Sequence, residues 1–430
     1  MKSVLALCIL LTISMVAQSQ QQAANRPTTV AGFPVNYSED SVGTYTLPDL
    51  LKCTDGQPVT SAKIWTQKRR PELVGLFEEI QFGKMPPAPK ELKFNVFDKG
   101  TSAFNGKAIR KQVTVYLAKD TSDHKMNLVI YIPAAAKKPV PLLMNISFAA
   151  YNQTIEDTGL LVNNIWNREG IRVKADKPSA FGKTNVEQFL DAGFGFATVY
   201  YGDIEPDFKD GIRHGIRKEY LKPGQTETAA NEWGAIAAWG WGLSRAMDYF
   251  EKDKQIDSKR VALQGASRLG KTVLWAGAHD TRYAMVIASI SGEGGAALSR
   301  RNYGETIQHI SDPSRYLYQF APNYHSYADK INTMPIDGHM LVALIAPRPL
   351  LLQTGSTDYW SDPKGEFLSA VAAAPVYKLF NETGPETTVM PAAGDTSLLM
   401  NNLGYYMHEG GHSVLPGDWT HIISYMKKYL

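Results

Sequence analysis

Strand-like and helix-like segments alternate through most of this sequence, and this alternation restricts the fold more than any other feature. The helical patterns NEWGAIAAWGWGLSRAMDYF and RLGKTVLWAGAH stand between β-branched and aromatic runs, and WTHIISYMKKYL closes the chain. The strand-like runs are KQVTVYL, NLVIYI, VPLLMNISF, FGFATVYY, RVALQG, AMVIASI, PLLLQTG and ETTVMP. Strands separated by helices pair in parallel and are covered on both faces. The sequence therefore predicts an α/β three-layer sandwich with a mostly parallel sheet.

The N-terminal part of the chain indicates three segments. Residues 1–19 combine Lys2, an apolar run and small residues at the end, which is typical of a secretory signal peptide. Residues 20–45 are polar and rich in turn formers, which predicts a linker. Residues 46–430 are expected to form a single domain that begins with a helical extension over about 46–110. In that extension Pro71 suits a first helical turn.

Charge and cysteine content exclude some classes of partner. The formal charge is only +3 at pH 7 and no Lys/Arg run is present, so nucleic acid is not an expected partner. The N-terminal apolar run is too short for a lasting membrane span and lacks a basic flank behind it, although a membrane anchor is the alternative. We expect a secreted or periplasmic bacterial protein and a monomer. After signal removal Cys53 is the single cysteine, which leaves no intramolecular disulfide.

Ser267 is the candidate nucleophile. It follows RVALQG and precedes a helical run, so its hydroxyl is expected on a tight turn beside helix N-terminal amides. The strict nucleophile elbow reads G-x-S-x-G, whereas here the glycine after Ser267 comes one position late, at Gly270. Serine is also a common helix N-cap, and the local pattern leaves both interpretations open.

Asp358 and His412 are the candidate partners of Ser267. Asp358 follows PLLLQTG, and His412 lies in HEGGHSVLPGDW near the C-terminus. The chain order Ser, Asp, His is that of the α/β-hydrolases, and ligands of open α/β sheets bind at the carboxyl ends of the strands. We therefore predict an α/β-hydrolase with a Ser-His-Asp triad.

The segment HEGGH also matches the zinc motif H-E-x-x-H, which needs both histidines on one helical face. Gly410 and Gly411 fill its middle positions, and each interior glycine costs a helix about 1 kcal/mol relative to alanine. No glutamate after Glu409 offers a third ligand. We expect neither a metal nor a cofactor.

Arg268 and Lys271 are the candidate cations of the site. The guanidinium of Arg268 follows the nucleophile directly and can stabilise a developing oxyanion, or it can form a surface ion pair. Lys271 lies one turn further along the predicted helix, on the same rim.

Five separated motifs resemble the glucuronoyl esterases of carbohydrate esterase family 15. They are GASRLGK, GGAALSRRNYGET, HMLVALIAPRPLLL, DYWSDPKGEF and GGHSVLPGDW, and the likeness runs from about residue 50 to the end. Members are metal-free α/β-hydrolases that cleave esters between (4-O-methyl-)D-glucuronate of glucuronoxylan and lignin alcohols. The resemblance implies that Ser267 is the nucleophile, His412 the base and Arg268 the oxyanion donor. It further implies that Lys271, Glu305 and Trp360 contact the sugar hydroxyls.

The resemblance is imperfect at the triad acid and in one loop. Many family members carry the acid in an E-S-G-x-G-G run, where this sequence has ISGEGG with Ile290 in its place. Either Asp358 or Glu293 must then supply the carboxylate, and we favour Asp358 because it follows a strong strand. The loop NISFAAYNQT also differs from the glycine-containing run usual in the family.

The resulting expectation is a serine esterase that acts on glucuronate esters. Two alternatives stay open at this point. The first is an acetyl xylan or feruloyl esterase on the same scaffold, and the second is a non-catalytic carbohydrate-binding homologue.

Overall fold

A computed structural model describes residues 26–167 and 169–430 of the chain. The predicted signal peptide, residues 1–19, and the first part of the predicted linker lie outside the described residues. Among the residues that are described, no helix is long and apolar enough to cross a membrane.

The strands belong to one large sheet and two small hairpins. In chain order they are β1 (Thr29–Val30), β2 (Phe33–Pro34), β3 (Lys93–Ala103), β4 (Ala108–Tyr116), β5 (Lys125–Pro133), β6 (Val140–Ser147), β7 (Asn164–Trp166), β8 (Arg172–Lys174), β9 (Gly195–Tyr200), β10 (Ile256–Ala266), β11 (Met285–Ser289), β12 (Leu350–Gly355) and β13 (Leu403–His408).

The large sheet has nine strands in the order β13-β12-β11-β10-β6-β9-β5-β4-β3. The strands from β13 to β9 are all parallel to their neighbours, while β5, β4 and β3 join antiparallel at one end. The carboxyl ends of β10, β11, β12 and β13 therefore meet along the same edge of the sheet.

Helices cover the sheet on both sides. They are α1 (Ala62–Ile64), α2 (Arg70–Ile80), α3 (Tyr151–Thr154), α4 (Glu187–Asp191), α5 (Ala235–Phe250), α6 (Arg268–His279), α7 (Ile307–Ile310), α8 (Pro322–His325), α9 (Gly338–Ala343), α10 (Pro363–Leu379) and α11 (Pro416–Tyr429), with a π-helical turn (Trp65–Arg69) joining α1 to α2.

Two apolar clusters lie against the two faces of the sheet. Successive side chains of a strand point to opposite faces, and accordingly Leu352 belongs to one cluster and its neighbour Leu351 to the other. The first cluster includes Trp239 of α5 and Trp275 of α6, and the second includes Ile422 of α11. Every residue of β9, β11, β12 and β13 is buried, as strands covered on both faces require. The predicted three-layer α/β sandwich is confirmed.

Several boundaries predicted from the sequence are wrong. The helical extension expected over 46–110 ends at Ile80, residues 93–103 form β3, and β4 begins at Ala108 after a short 3-10 turn. The ETTVMP run at 386–391 forms no strand, and the last strand is instead 403–408. Residues 93–103 and 108–116 pair beside β5, and residues 403–408 pair with β12, so tertiary pairing outweighed the local pattern in both places.

From residue 26 onward, the predicted linker is part of the folded domain. It contains the β1–β2 hairpin, and Glu39 forms ion pairs with Arg301 and, at 2.7 Å, with Lys364. Asn36 also accepts a hydrogen bond through its carbonyl from the amide of Gly304, at 2.8 Å. Residues 26–45 therefore pack against the same loops that carry Glu305 and Trp360.

Candidate active site

Ser267 is the single residue between β10 and α6, and its backbone conformation is strained. Its φ of 57° and ψ of −128° fall outside the regions that non-glycine residues favour. The turn is held by the Ser267 amide, which donates to the carbonyl of Ser289 in β11 at 2.9 Å, and by the Lys271 amide, which donates to the Ser267 carbonyl at 3.1 Å. A sharp strand-to-helix turn of this kind exposes the side-chain oxygen at the edge of the sheet.

Two close approaches explain why the second glycine of the turn is displaced by one position. A Cβ at Gly265 would lie 2.4 Å from the Leu269 carbonyl oxygen, and one at Gly270 would lie 2.8 Å from the Ser289 carbonyl oxygen. Position 269 holds a fully buried leucine that packs in the core. The backbone of α6 therefore approaches β11 at residue 270, where the sequence has its glycine.

His412 joins Ser267 to Asp358. Its Nε2 lies 2.8 Å from the Ser267 Oγ, and its Nδ1 lies 2.7 Å from the Asp358 Oδ2. Because an ionised carboxylate only accepts, Nδ1 carries the proton and Nε2 accepts from the serine hydroxyl. Asp358 is 5% exposed, and Ser361 Oγ lies 3.1 Å from the same Nδ1. The three residues that the sequence placed in the triad are in hydrogen-bond contact.

The loops after β12 and β13 hold Asp358 and His412 in place. Gly355 pairs with His408 at the ends of the two strands. Beyond that pair, the Thr357 amide donates to the Gly410 carbonyl at 2.8 Å, and the Gly410 amide donates to Ser356 Oγ at 3.1 Å. Backbone pairing thus continues past the sheet and fixes the separation of the acid and the base.

Glu293, the alternative acid, makes different contacts. Its Oε1 accepts from Ser299 Oγ at 2.7 Å and from Tyr324 OH at 2.8 Å. It is 3% exposed, and burial raises the pKa of its carboxyl to about 8. Ile290, which replaces the usual acid, has a φ of 45° and borders the cavity described below. These contacts favour Asp358 over Glu293.

The two histidines of HEGGH do not share a helix. His408 ends β13 and is buried, with its Nδ1 3.1 Å from Asp418 Oδ2, whereas residues 409–412 form a loop. His408 and His412 therefore have separate partners. Within the described ranges, 26–167 and 169–430, no cluster of three or more His, Cys, Asp or Glu side chains is arranged to hold a metal ion.

A cavity of about 240 Å³ opens beside the Ser267 hydroxyl. It is lined by all of the residues that the family resemblance assigned to the sugar, together with others that the sequence did not indicate. The lining residues are Ser267, Arg268, Lys271, Ile290, Glu305, Ile310, Arg315, Tyr316, Gln319, Trp360, Ser361 and His412.

Lys271 and Glu305 give the cavity a buried cation and a carboxylate. Lys271 is 7% exposed, and burial lowers the pKa of its ammonium although the Glu305 charge opposes that effect. Glu305 accepts from Arg315 Nη2 at 2.9 Å, which orients the carboxylate. Neighbouring hydroxyls of a pyranose ring can accept from the ammonium and donate to the carboxylate.

Trp360 is brought to the cavity by a close contact between two loops. The Glu305 amide donates to the Trp360 carbonyl at 2.8 Å, and Gly304 has a φ of 60°. A Cβ at Gly304 would lie 2.4 Å from that same carbonyl oxygen, so only glycine fits. The indole ring lies 5.3 Å from the His309 ring and beneath the Arg315 guanidinium at 5.2 Å.

Arg315, Tyr316 and Gln319 are the main residues of the cavity that the sequence did not indicate. All three lie in SDPSRYLYQF, a segment with a short 3-10 helix (Leu317–Gln319) and no strong periodicity. The interleaving of a cation with aromatic side chains is the one local signal that could have identified the segment. Arg268 contacts it as well, because its guanidinium lies 4.6 Å from the Tyr316 ring centroid.

The sheet order and the turn at its edge define the class of the protein, which is an α/β-hydrolase. A model of the glucuronyl esterase family, described for fungi, matches residues 227–381. The carbohydrate esterase MZ0003, from an unknown prokaryotic organism, is 42% identical over 403 residues, which are 92% of each chain. This chain belongs to the glucuronoyl esterases of carbohydrate esterase family 15, and it is a carboxylic ester hydrolase.

Two further proteins illustrate how far the similarity extends. The glucuronoyl esterase from Solibacter usitatus aligns with a TM-score of 0.85 and 43% identity, covering 90% of this chain and 99% of that one. A 4-O-methyl-glucuronoyl methylesterase of Phanerochaete carnosa is 24% identical over 379 residues, which are 86% of this chain and 80% of the fungal protein. The predictions of family, fold and enzyme class are confirmed.

Proposed function

We propose that this chain hydrolyses esters of (4-O-methyl-)D-glucuronate, as found between glucuronoxylan and lignin alcohols, through an acyl-enzyme on Ser267. The contact of the His412 imidazole with both the Ser267 hydroxyl and the Asp358 carboxylate is the observation that carries this proposal. The names of relatives support the substrate class, since MZ0003 is a carbohydrate esterase and the Solibacter protein a glucuronoyl esterase.

Acylation begins when Ser267 Oγ attacks the ester carbonyl carbon and its proton passes to His412 Nε2. The Asp358 carboxylate, which accepts from Nδ1, stabilises the imidazolium. Arg268, with amides of the first turn of α6, stabilises the negative charge on the carbonyl oxygen. The imidazolium then protonates the leaving alcohol oxygen as the ester bond breaks.

Deacylation repeats the sequence with water. His412 takes a proton from a water molecule that attacks the glucuronoyl carbonyl, and the resulting imidazolium gives the proton to Ser267 Oγ as the bond between the carbonyl carbon and Oγ breaks. The product is the free uronic acid, ionised at neutral pH. Lys271, Glu305 and Trp360 are proposed to hold the sugar ring throughout, so that its carbonyl carbon stays within reach of Ser267.

The proposed place of action is outside the cytoplasm. The secretory pattern of residues 1–19 supports this proposal.

Hydrolysis of benzyl glucuronate tests the proposal most directly. We expect wild-type protein to hydrolyse it, and we expect the Ser267→Ala variant to lose at least about 10³-fold in kcat because nucleophilic catalysis is removed. Methyl galacturonate and an aryl acetate serve as comparison esters.

The control is Ser413→Ala, which removes an exposed hydroxyl next to His412 in sequence. It should retain activity and the thermal midpoint of the wild type. Full benzyl glucuronate hydrolysis by Ser267→Ala contradicts the mechanism. Turnover of the aryl acetate without turnover of either uronate ester contradicts the substrate class.

A further inference from the structure

Arg268 is held on one side by a carboxylate that neither the sequence motifs nor the triad includes. Its Nη1 donates to Asp207 Oδ2 at 2.5 Å. Asp207 lies beyond the end of β9, about 60 residues before Arg268 in the chain, and its side chain is 5% exposed. The Arg268 side chain is 25% exposed, because its other side borders the cavity.

Three further donors fix Asp207. Tyr318 OH and Gln319 Nε2 both donate to its Oδ1 at 2.8 Å, and Tyr201 OH donates to its Oδ2 at 3.2 Å. Burial raises the pKa of both phenols, and the Asp207 charge adds to that effect, so they stay protonated as donors. Both carboxylate oxygens are thus engaged, and the carboxylate has little freedom to turn.

Two aromatic rings lie close to the Arg268 guanidinium. The Tyr316 centroid lies 4.6 Å and the Phe148 centroid 5.9 Å from Arg268 Cζ. A guanidinium has five N–H donors in one plane, so the contact of Nη1 with Asp207 leaves other donors of Arg268 for the cavity that it borders. An oxyanion donor acts best when its direction is fixed before the reaction.

We propose that Asp207 is a positioning residue for Arg268 and also compensates its charge before the oxyanion forms. This inference rests on the proposed ester hydrolysis at Ser267. The ester is neutral, the transition state carries negative charge on the carbonyl oxygen, and the product acid is an anion. A buried cation without a partner would attract the product carboxylate strongly and retard its release, which does not raise kcat. The Asp207 charge weakens that attraction while keeping the Arg268 donors aimed at the reacting carbonyl.

The Asp207→Asn variant tests both parts of the role, because it keeps the shape of the side chain and removes the charge. On benzyl glucuronate we expect kcat to fall about 10- to 100-fold, part of the loss that follows removal of an oxyanion donor. KM should stay within about threefold, since the sugar contacts are untouched. Free glucuronic acid should inhibit the variant at least about fivefold more tightly than the wild type, whereas methyl glucoside, which is neutral, should inhibit both equally.

Asp210→Asn is the matched control, since it removes a carboxylate of the same segment that is 64% exposed and lies 3.8 Å from Arg213. It should leave kcat and product inhibition unchanged. If Asp207→Asn does not fold, Tyr318→Phe decides the positioning role, because it deletes one donor to Asp207 and should lower kcat about three- to tenfold, with product inhibition unchanged since the Asp207 charge remains.

Unchanged kcat and unchanged inhibition by glucuronic acid in Asp207→Asn, or unchanged kcat in Tyr318→Phe where that variant decides, overturn the inference while the proposed function stands. If wild-type protein fails on benzyl glucuronate, the proposed function fails. The kcat comparison on phenyl acetate then decides the role of Asp207, because an ester of any acid forms the same oxyanion. A wild type inactive on both esters overturns the inference as well.

Discussion

The two ends of the active-site cavity are built in different ways. At the reacting end, Ser267 directly follows β10, while Asp358 and His412 lie in the loops after the parallel strands β12 and β13. At the sugar end, Glu305 and Arg315 come from a long segment between β11 and β12 that contains only short helices. The first end takes its geometry from the sheet, while the second takes it from contacts among side chains and loops.

This difference predicts which kinetic constant each end controls. Residues that follow strand ends are held by backbone hydrogen bonds, and they are proposed to act on the atoms that change during the reaction. Glu305 and Arg315 at the sugar end hold each other in an ion pair, and the sugar end is proposed to contact parts of the substrate that do not change. Substitutions should therefore lower kcat at the reacting end and raise KM at the sugar end.

The largest effect after loss of the nucleophile is expected for Asp358→Asn. An amide can donate to Nδ1 and stabilise the wrong imidazole tautomer, and the equivalent change in serine proteases lowers kcat about 10⁴-fold. We expect a loss of at least about 10²-fold in kcat on benzyl glucuronate. Glu293→Gln is the matched change in a buried carboxyl that contacts Ser299 and Tyr324, and it should cost less than about tenfold. The reverse ranking would transfer the acid role to Glu293.

At the sugar end, Glu305→Gln should mainly raise KM. The amide keeps the volume of the side chain but loses the charge that pairs with Arg315. Hydrogen bonds to charged groups contribute about 1.5–3 kcal/mol, so KM for benzyl glucuronate should rise about 10- to 100-fold with kcat within about threefold. Steady-state kinetics on an aryl acetate, which lacks the sugar, should be unchanged. A fall in kcat with constant KM in Glu305→Gln would contradict the predicted difference between the two ends of the cavity.

Glu366 contacts the loop that follows β11, at Ser291 and Gly292, and should make stability depend on pH. It is fully buried on α10, it accepts from the Gly292 amide at 2.7 Å, and burial raises the pKa of its carboxyl to about 8. The folded pKa lies above the unfolded value of about 4.3, so this group contributes stability at low pH that is lost as pH rises toward 8.

The Glu366→Gln variant mimics the protonated acid and should abolish that loss. Urea midpoints measured at pH 5 and pH 8 should fall less in Glu366→Gln than in the wild type. Glu386→Gln, at an exposed carboxylate, provides the baseline. An identical pH dependence in Glu366→Gln and wild type contradicts the prediction.

The smallest effect is expected where the N-terminal segment supports the sugar end. Glu39 contacts Arg301 and Lys364. Burial raises the pKa of its carboxyl, but the two cations lower that pKa by more, so it lies below its usual value. Because its side chain is 43% exposed, Glu39→Gln should lower the free energy of unfolding by less than about 1 kcal/mol. Chemical denaturation measures that change, and KM should move less than about twofold. A large rise in KM would show that the segment sets the shape of the cavity.

The sequence by itself determined the layered sheet and the residues of its reacting edge. In runs such as AMVIASI and RLGKTVLWAGAH, the spacing of the apolar residues indicates which side chains are buried in a strand or a helix. Residues that follow parallel strands lie at the carboxyl edge of the sheet, where ligands bind. This is why Ser267, Asp358 and His412 could be predicted without coordinates. The five motifs that resemble the glucuronoyl esterases added Lys271, Glu305 and Trp360 to the predicted site.

Only the tertiary structure decided which distant groups meet. The pairing of Arg268 with Asp207, the Arg315 side chain over Trp360 and the ion pairs of Glu39 all join segments far apart in the chain. Likewise the last strand is β13 and not the predicted strand at 386–391, because the backbone of residues 403–408 pairs with β12. Such contacts depend on three-dimensional distance, which local periodicity and residue order do not encode.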